Sequence, residues 1–327
     1  MNLNEDELVA AIAQFNGAPH SRVTLGIGDD AAAWQPSRSA RSVVTTDALV
    51  EGVHFSRALM TMRDIGMRAM AANLSDVAAM GARPLLVTVA LGIPKDLDPT
   101  DVLECYRGLD ACARAFRVQI VGGDLTRSPV LLFSITVIGE VRSTNLKTRS
   151  GALPGDVLAV TGPLGASRAG LAQAKGEIAL SEDGARAALR SYRTPGARCA
   201  AGRFLGASRN VRAMMDCSDG LSTDVARLAH ASHMGARIEY VPVAACALEA
   251  AAQLGVDPID FALAGGEDFE LLVAVAPRAF EHLSRRYAAR FGEELIRLGT
   301  VEADERLVVV KQGAPEPMER SGWDHFG

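Results

Sequence analysis

Apolar and polar positions alternate with two different periods along the chain, and both periods recur in each half. Apolar residues three and four apart predict amphipathic helices, whereas short apolar runs rich in β-branched residues predict strands. Helices are predicted at 5–15, 61–81, 99–116, 165–175, 182–193, 196–206, 221–233 and 277–291. Strands are predicted at 42–46, 85–93, 118–121, 130–141, 157–161, 211–216, 237–241, 271–275, 295–301 and 306–311. The mixture predicts an α/β (α+β) protein.

A turn-rich segment at 149–156 contains two glycines, a proline and an aspartate, and it separates two mixed α/β halves. A chain of 327 residues is long enough for two domains. We therefore predict an N-terminal domain over residues 1–148 and a C-terminal domain over residues 149–327. Gly235 is predicted to end the helix at 221–233.

Composition excludes several classes of protein. Apolar residues make up 48% of the chain and charged residues 22%, and the net charge of −5 argues against a nucleic-acid partner. No apolar run reaches the roughly 18 residues that span a bilayer, and the acidic N-terminus does not resemble a secretory leader. Five cysteines without a Cys-x-x-Cys pair argue against structural zinc and a disulfide framework. We expect a cytoplasmic protein that binds neither membrane nor nucleic acid.

Acidic residues recur in short turns with glycine or other small residues, most of them directly after a predicted strand. Carboxylates at strand ends can converge on one cleft, where two of them ~5 Å apart repel by about 3 kcal/mol at an effective dielectric of ~20. Magnesium relieves such repulsion and leaves coordination positions for phosphate oxygens. The pattern predicts a site for a magnesium–nucleotide complex. The blocks lie at 26–30, 45–47, 73–76, 122–124, 216–220 and 265–268.

Two of these blocks offer a choice between metal binding and a local structural role. Asp76 falls inside an alanine-rich helix, where a carboxylate is costly unless a metal or a neighbouring turn satisfies it. Asp216 and Asp219 flank Ser218 just before a helix. They could cap that helix, or they could form a corner that binds phosphate and metal.

The remaining blocks have similar alternatives. The threonines at 45–47 suit a strand end by β-propensity and also suit a magnesium ligand. The glycines at 122–124 permit either a hairpin turn or close approach of a ligand to the backbone. Arg149 is either a surface residue or a phosphate clamp, and His54 is either structural or part of a site. The block at 26–30 resembles a dinucleotide fingerprint, but its two aspartates would repel a pyrophosphate.

Other common catalytic motifs are missing from the sequence. It has no Walker-type phosphate loop, no kinase His-Arg-Asp set and no evident Ser-His-Asp order. Phosphoryl transfer without a general base is reasonable when the acceptor is already an anion. A phosphomonoester, whose second pKa is about 6, is largely a dianion at neutral pH.

Taken in order, these blocks resemble the thiamine-monophosphate kinase family, and the resemblance covers essentially the whole chain. It includes the short blocks at 80–82, 149–151 and 322–326 as well. The resemblance implies ATP-dependent phosphorylation of thiamine monophosphate to thiamine diphosphate by direct in-line transfer, with several magnesium ions.

The resemblance also implies roles for individual residues. Asp30, Asp47, Asp76 and Asp216 would carry the catalysis. Trp323 stands where the family often has tyrosine, and it retains a flat face and a cation–π option. Magnesium would be bound by Asp30, Thr45, Thr46, Asp47, Asp76, Asp124, Asp216 and Asp219. Nucleotide would contact Gly123, Asp124, Arg149 and Ser218, and the thiamine substrate would contact His54, Glu267 and Trp323.

The wider superfamily, which includes aminoimidazole ribonucleotide synthetase and selenophosphate synthetase, implies a fold and an assembly. The N-terminal mixed sheet would pair with a second copy into a dimer barrel, and the C-terminal domain would be an α/β sandwich. ATP would bind near the interface of this homodimer. Three alternatives are a selenophosphate synthetase, a non-catalytic magnesium–nucleotide sensor and a metal-dependent phosphatase. The first would require a reactive cysteine near the N-terminus, and the first cysteine here is Cys105.

Overall fold

The computed structural model describes residues 5–28 and 31–323. The chain divides into two compact units, the first comprising Met1–Val77 and Ala82–Ser143 and the second Ala78–Gly81 and Thr144–Gly327. The boundary predicted between residues 148 and 149 lies shortly after the division at 143.

The first unit contains a four-stranded sheet in the order β3-β6-β4-β5 and a separate two-stranded sheet of β1 and β2. Strands β4 and β5 are parallel, and the other two pairs in the larger sheet are antiparallel. The elements are α1 (Glu5–Ile12), β1 (Val23–Leu25), β2 (Ala33–Trp34), β3 (Arg41–Val50), α2 (Met62–Ala79), β4 (Arg83–Ile93), α3 (Pro99–Phe116), β5 (Gln119–Arg127) and β6 (Leu132–Val141).

Helices α2 and α3 approach each other closely through glycine. A methyl group at Gly66 would lie 2.0 Å from the carbonyl oxygen of Cys105. A methyl group at Gly108 would lie at the same distance from the carbonyl oxygen of Arg63. Only a residue without a Cβ atom fits at these two crossing points. The close approach fixes α2, which carries Asp76.

The second unit is built on a seven-stranded sheet in the order β13-β12-β9-β11-β7-β10-β8. No helix among the described residues has the length and hydropathy to span a bilayer. The elements are β7 (Val157–Val160), α4 (Ala166–Lys175), α5 (Glu182–Arg193), α6 (Cys199–Gly206), β8 (Val211–Asp216), α7 (Leu221–Ala231), β9 (Gly235–Ile238), α8 (Ala245–Leu254), α9 (Pro258–Leu263), β10 (Leu271–Val275), α10 (Pro277–Phe291), β11 (Ile296–Glu302), β12 (Leu307–Lys311) and β13 (Ala314–Pro317).

The core of the second unit forms where one side of α7 packs on the central strands. Leu221, Val225 and Leu228 of α7 are buried together with Leu158 of β7 and Leu272 of β10. Every residue of β7 and β10 is buried, as expected for strands covered on both faces. A second apolar cluster joins α4, α5 and α8. The buried centre of this unit therefore extends to Asp216, the last residue of β8.

Several predicted elements match residue for residue, namely α3, α5, α10, β8 and β10. The expectation that two acidic blocks lie at strand ends was wrong. Strand β3 continues to Val50, so residues 45–47 lie inside it, and β5 continues to Arg127, so residues 122–124 also lie inside a strand. Pairing with β6 and β4 extends both strands beyond the apolar runs that predicted them.

The prediction for Gly235 was also wrong. Helix α7 ends at Ala231 with Ser232 as its C-cap, and Gly235 is the first residue of β9. Five short elements (β1, β2, α8, α9 and β13) were not predicted from the sequence.

Candidate active site

In the first unit, α2 and β3 bring three predicted ligands together. Thr45 Oγ1 donates a hydrogen bond of 2.5 Å to Asp76 Oδ2. The backbone N–H of Asp47 donates to Asn73 Oδ1 at 3.0 Å. Asn73 is fully buried and donates in turn to the carbonyl of Ala69, which fixes its amide. The result is an oxygen-rich group in which Asp76 is held by a hydroxyl from β3.

The spacing of these residues explains the arrangement. Asn73 and Asp76 are three apart and share one face of α2, whereas Thr45 and Asp47 are two apart and share one face of β3. Thr46 is engaged differently. Its Oγ1 donates to the carbonyl of Ile135 at 3.1 Å and accepts a hydrogen bond from Thr136 Oγ1. Thr45 and Asp47 therefore belong to the group around Asp76, and the Thr46 hydroxyl is engaged by β6.

Asp124 lies away from this group within the first unit. Asp47 is opposite Ile135, Ile135 is opposite Val89, and Val89 is opposite Gly123, so the two acidic blocks share one row of the sheet. They lie on its two edge strands, three strand spacings or about 14 Å apart. One magnesium ion binds its oxygens at about 2.1 Å, so it cannot join Asp47 to Asp124 of the same chain.

Steric contact with a neighbouring strand explains why residue 123 is a glycine. A methyl group there would lie 2.0 Å from the carbonyl oxygen of Val89, beside the point where the β4–β5 register shifts. Glycine therefore permits the bulged pairing that displays Asp124 on the outer edge.

His54 lies in the turn after β3. Its Nδ1 accepts a hydrogen bond of 3.1 Å from the backbone N–H of Val50. An accepting Nδ1 leaves Nε2 as the donor of a neutral imidazole. His54 therefore makes a structural contact, one of the two roles considered from the sequence. Its Nε2–H remains able to donate a hydrogen bond to a substrate.

In the second unit, the turn after β8 concentrates acidic side chains. Asp216 is buried, and Asp219 forms an ion pair with Arg227. Arg227 also reaches Asp224 at 3.2 Å, and the fully buried Asp224 accepts a hydrogen bond from the backbone N–H of Asp219. Burial and the charges of Asp216 and Asp219 raise the pKa of Asp224 to about 7. This turn therefore has an excess of negative charge.

Asp224 and Arg227 were missed in the sequence analysis. Their three-residue spacing in the first turns of α7 was a usable signal, since such pairs share a helix face.

A second acidic turn pairs with the first. The N–H of Glu267 donates to the carbonyl of Ser218 at 2.7 Å, and that of Phe269 donates to the carbonyl of Cys217 at 2.9 Å. The N–H of Cys217 returns a bond of 2.7 Å to the carbonyl of Glu270. These bonds continue the pairing of β8 with β10 and place Glu267 beside Ser218.

The segment before the end of the described residues completes this cluster. The N–H of Trp323 donates to the carbonyl of Asp219 at 2.9 Å, and the N–H of Gly322 donates to Thr223 Oγ1. Trp323 is 52% exposed. The second unit thus brings together Ser218, Asp219, Glu267 and Trp323. The first and last of these residues are more than 100 positions apart in the sequence.

Arg149 lies on a segment that runs beside β8. The N–H of Met214 donates to the carbonyl of Thr148, and the buried Lys147 donates from Nζ to the carbonyls of Ser208 and Val211. These bonds fix the backbone next to Arg149, whose side chain is exposed.

Over residues 5–28 and 31–323, no three side chains of His, Cys, Asp and Glu form a ready metal-binding group. Asp30, which the sequence assigns to magnesium and to catalysis, lies outside the described residues. The donors that do lie together are hydroxyl and carboxylate oxygens, the chemistry that a hard divalent cation prefers.

Two family models match the chain. The model for AIR synthase related protein, N-terminal domain, matches residues 28–141, and the model for the C-terminal domain of the same proteins matches residues 154–312. With its two α/β units, the chain has the fold of the AIR synthase-related class, which confirms the predicted α/β fold.

Similarity to individual proteins identifies the family within this class. Thiamine-monophosphate kinase of Synechococcus elongatus is 40% identical over 255 residues, which is 76% of this chain and 77% of that protein. The crystal structure of thiamine-monophosphate kinase from Stenotrophomonas maltophilia K279a matches with a TM-score of 0.81 at 31% identity, covering 96% of this chain and 99% of that one. The structure of AaThiL complexed with AMPPCP and TMP matches with a TM-score of 0.77 at 30% identity, covering 89% of each chain. The chain belongs to the thiamine-monophosphate kinase family.

Proposed function

We propose that this protein transfers the γ-phosphoryl group of ATP to thiamine monophosphate, giving thiamine diphosphate and ADP in thiamine biosynthesis. The observation that carries the proposal is the similarity over 89% of the chain to AaThiL, a structure complexed with AMPPCP, an ATP analogue, and with TMP. The arrangement of acidic turns in both units supports the same reaction.

The chemistry needs positioning more than proton transfer. A phosphate oxygen of thiamine monophosphate attacks the γ-phosphorus of ATP in line, and the bond from that phosphorus to the bridging oxygen of ADP breaks. The attacking oxygen is already ionised at neutral pH, so no general base is required. The protein has to hold two polyanions against their mutual repulsion.

Magnesium would supply that screening, and the donors of the first unit fit it. We assign Thr45, Asp47 and Asp76 to one magnesium position, because Thr45 Oγ1 bonds Asp76 Oδ2 and Asp47 lies two residues along the same face of β3, with its backbone bonded to Asn73 of α2. Asp124 serves a separate ion, since it lies about 14 Å away across the sheet. When bound, the ions neutralise phosphate charge and orient its oxygens. We also assign Asp30 and Thr46 as magnesium ligands.

In the second unit, the excess of negative charge after β8 suits a further cation at Asp216 and Asp219. Arg227 neutralises Asp219 in the structure described here. Ser218 and Arg149, with Gly123 and Asp124, contact the nucleotide, and Arg149 has the planar donor set for two phosphate oxygens. His54, Glu267 and Trp323 contact the thiamine substrate.

Replacing Trp323 with alanine is expected to raise the KM for thiamine monophosphate about tenfold and to leave the KM for ATP within about twofold. The exposed indole offers a flat face to the cationic thiazolium ring, and its backbone is anchored at Asp219. Steady-state kinetics with each substrate varied in turn would measure both constants.

Trp323→Phe retains the flat face and is the matched control, with a smaller expected effect. A change confined to the KM for ATP would remove Trp323 from the substrate site.

We further propose that the active protein is a homodimer formed through the first unit. Strands β3 and β5 are the long edges of the four-stranded sheet, and Val44 on β3 is 72% exposed. Residues 16–18 pair with β5 only at its beginning, at Gln119 and Ile120. Long edges with an exposed apolar residue are normally covered by another chain or element, and a second copy joining edge to edge would close a barrel.

Val44→Asp is expected to convert the dimer into a monomer and to reduce turnover in parallel, because it places a charge at the covered edge. Sedimentation equilibrium would measure the mass, and the same samples would be assayed for thiamine diphosphate. Val256→Asp, at an exposed valine of the second unit, is the control and should remain dimeric. A Val44→Asp variant that stays dimeric would place the interface elsewhere.

We assign the protein to the cytoplasm, where ATP is available. All five cysteines are free and buried, as suits a reducing compartment.

The direct test mixes the protein with ATP, magnesium chloride and thiamine monophosphate and separates the products by ion-exchange chromatography. Thiamine diphosphate and ADP are expected in equal amounts, and neither should form when any one component is omitted. Inorganic phosphate in place of thiamine diphosphate would indicate a phosphatase. Binding of ATP without any turnover would indicate a nucleotide sensor.

A further inference from the structure

We propose that Asp268 and Glu270 are positioning residues that hold Glu267 in the conformation in which it contacts thiamine monophosphate. The inference depends on the proposed function, since it assumes that Glu267 is a substrate contact. Asp268 belongs to the acidic block at 265–268 but received no individual role from the sequence, and Glu270 lies outside that block.

The backbone around Asp268 is held in an unfavourable conformation on both sides. Glu267 has a φ of 63° and Phe269 a φ of 52°, both in the left-handed region. Residues with a Cβ atom rarely adopt this region, and they remain there only when their surroundings enforce it. Two such residues separated by one position indicate that this turn is held in a required shape.

Asp268 provides the first anchor. Its carboxylate accepts hydrogen bonds from the backbone N–H groups of Gly165, at 2.6 Å, and Ser167, at 3.1 Å. These groups form the N-terminus of α4, where unpaired N–H groups and the helix dipole favour a negative charge. The bonds tie the middle of the acidic turn to a ten-residue helix.

Glu270 provides the second anchor, two residues further along. Its carboxylate accepts bonds from Arg198 Nε at 2.8 Å and Arg198 Nη2 at 2.6 Å, and a third from Thr161 Oγ1 at 2.6 Å. Glu270 is buried, so this two-pronged ion pair is shielded from water. Thr161 also accepts a bond from the N–H of Leu271, which links the anchor to β10.

The two anchors act together on Glu267. Its N–H is bonded to the carbonyl of Ser218, and its side chain remains partly exposed beside the predicted nucleotide contact. With Asp268 bound to α4 and Glu270 bound to Arg198, the backbone at Glu267 has little freedom to relax into the right-handed region. The turn is therefore pre-organised for a ligand, which lowers the entropic cost of binding.

The experiment compares Glu267→Gln, Asp268→Asn and the double variant in the full-length protein. Asparagine at 268 presents an N–H to one of the helix N–H groups and so loosens the anchor. Each single variant is expected to raise the KM for thiamine monophosphate about tenfold, with the KM for ATP unchanged within about twofold. The double variant should be no more than about twofold worse than Glu267→Gln alone, because both changes remove the same contact.

Asp257→Asn is the matched control, since Asp257 likewise accepts bonds from the first N–H groups of a helix, α9. It should lower Tm as Asp268→Asn does and leave the KM for thiamine monophosphate unchanged. If Asp268→Asn does not fold, Glu270→Gln tests the second anchor with the same expected selectivity for the thiamine substrate.

Independent, multiplying effects of the two single variants would overturn the inference, as would an Asp268→Asn or Glu270→Gln protein with wild-type KM. A wild-type KM in Glu267→Gln would overturn it too, while leaving the kinase activity intact. Failure of the wild-type protein to make thiamine diphosphate is a different result, which would overturn the proposed function and the inference with it.

Discussion

Asp76→Asn is expected to lower kcat by about a thousandfold or more without changing the fold. The side chain lies on α2 and receives the hydroxyl of Thr45 from β3 at 2.5 Å. Asparagine has nearly the same shape and can still accept that bond, so the contact between α2 and β3 is preserved. It cannot supply the negative charge that holds a cation against the transferred phosphoryl group.

Asp64→Asn provides a control in the same helix. Asp64 lies in the first turn of α2, where it accepts a bond from the N–H of Thr61, and we assign it no part in the reaction. The assay is product formation at saturating ATP, thiamine monophosphate and magnesium, with circular dichroism to verify the fold. Near-normal turnover of Asp76→Asn under these conditions would contradict the assignment of this residue to the metal site.

Asp216→Asn is expected to change activity and stability in opposite directions. Turnover should fall by about a hundredfold or more, because a buried carboxylate at the end of β8 is lost from the cation site. Tm measured without magnesium should rise, because Asp216 contributes to the repulsion that raises the pKa of Asp224 to about 7. Active sites commonly sacrifice stability in this way.

The sign of the pH dependence follows from the same shift. Asp224 in the folded protein binds its proton more tightly than in the unfolded chain, so stability falls as pH rises from about 4 to 7. The rise in Tm caused by Asp216→Asn should therefore be largest at pH 7 and above. Saturating magnesium should reduce the gain, since the cation screens the same repulsion in the wild type. Asp304→Asn, in an exposed loop, is the control. A Tm of the Asp216→Asn protein below the wild-type Tm at pH 8 would contradict this account.

Long elements with one dominant period could be predicted from the sequence. Helix α3 has Pro at its first position and Asp98 as its N-cap, and α10 also begins with proline, so their starts are marked locally. Strand β10 is buried throughout and β8 is buried at every position except Arg212, so their apolar runs coincide with the strands themselves. In these cases local sequence and tertiary packing favour the same boundaries.

The ends of β3 and β5 could not be predicted, because they depend on pairing rather than on local preference. Polar residues such as Thr46, Asp47 and Asp124 remain in extended backbone since β6 and β4 supply hydrogen-bond partners alongside them. A sequence shows the apolar run that starts a strand, but not the neighbour that prolongs it.

The sequence predicted which residues belong to the site better than it predicted their positions relative to one another. The pairing of Thr45 with Asp76 follows from combining helix and strand spacing. The separation of Asp47 from Asp124 could not be foreseen, because it depends on the strand order of the sheet. Arg227 and Asp224 were passed over because an arginine and a helical aspartate are ordinary surface residues until a fold places them beside other carboxylates.

Strand β7 is an interior strand of the seven-stranded sheet, between β11 and β10, yet both of these neighbours come from far along the chain. Thr161, directly after β7, pairs with Leu271, which is 110 residues later, and β11 follows later still. Closing such long loops delays the formation of the native sheet, because their entropic cost precedes the contacts that offset it. During synthesis, the apolar β7 therefore waits for most of the second unit to leave the ribosome, and chaperones that shield nascent chains would be most needed over that interval.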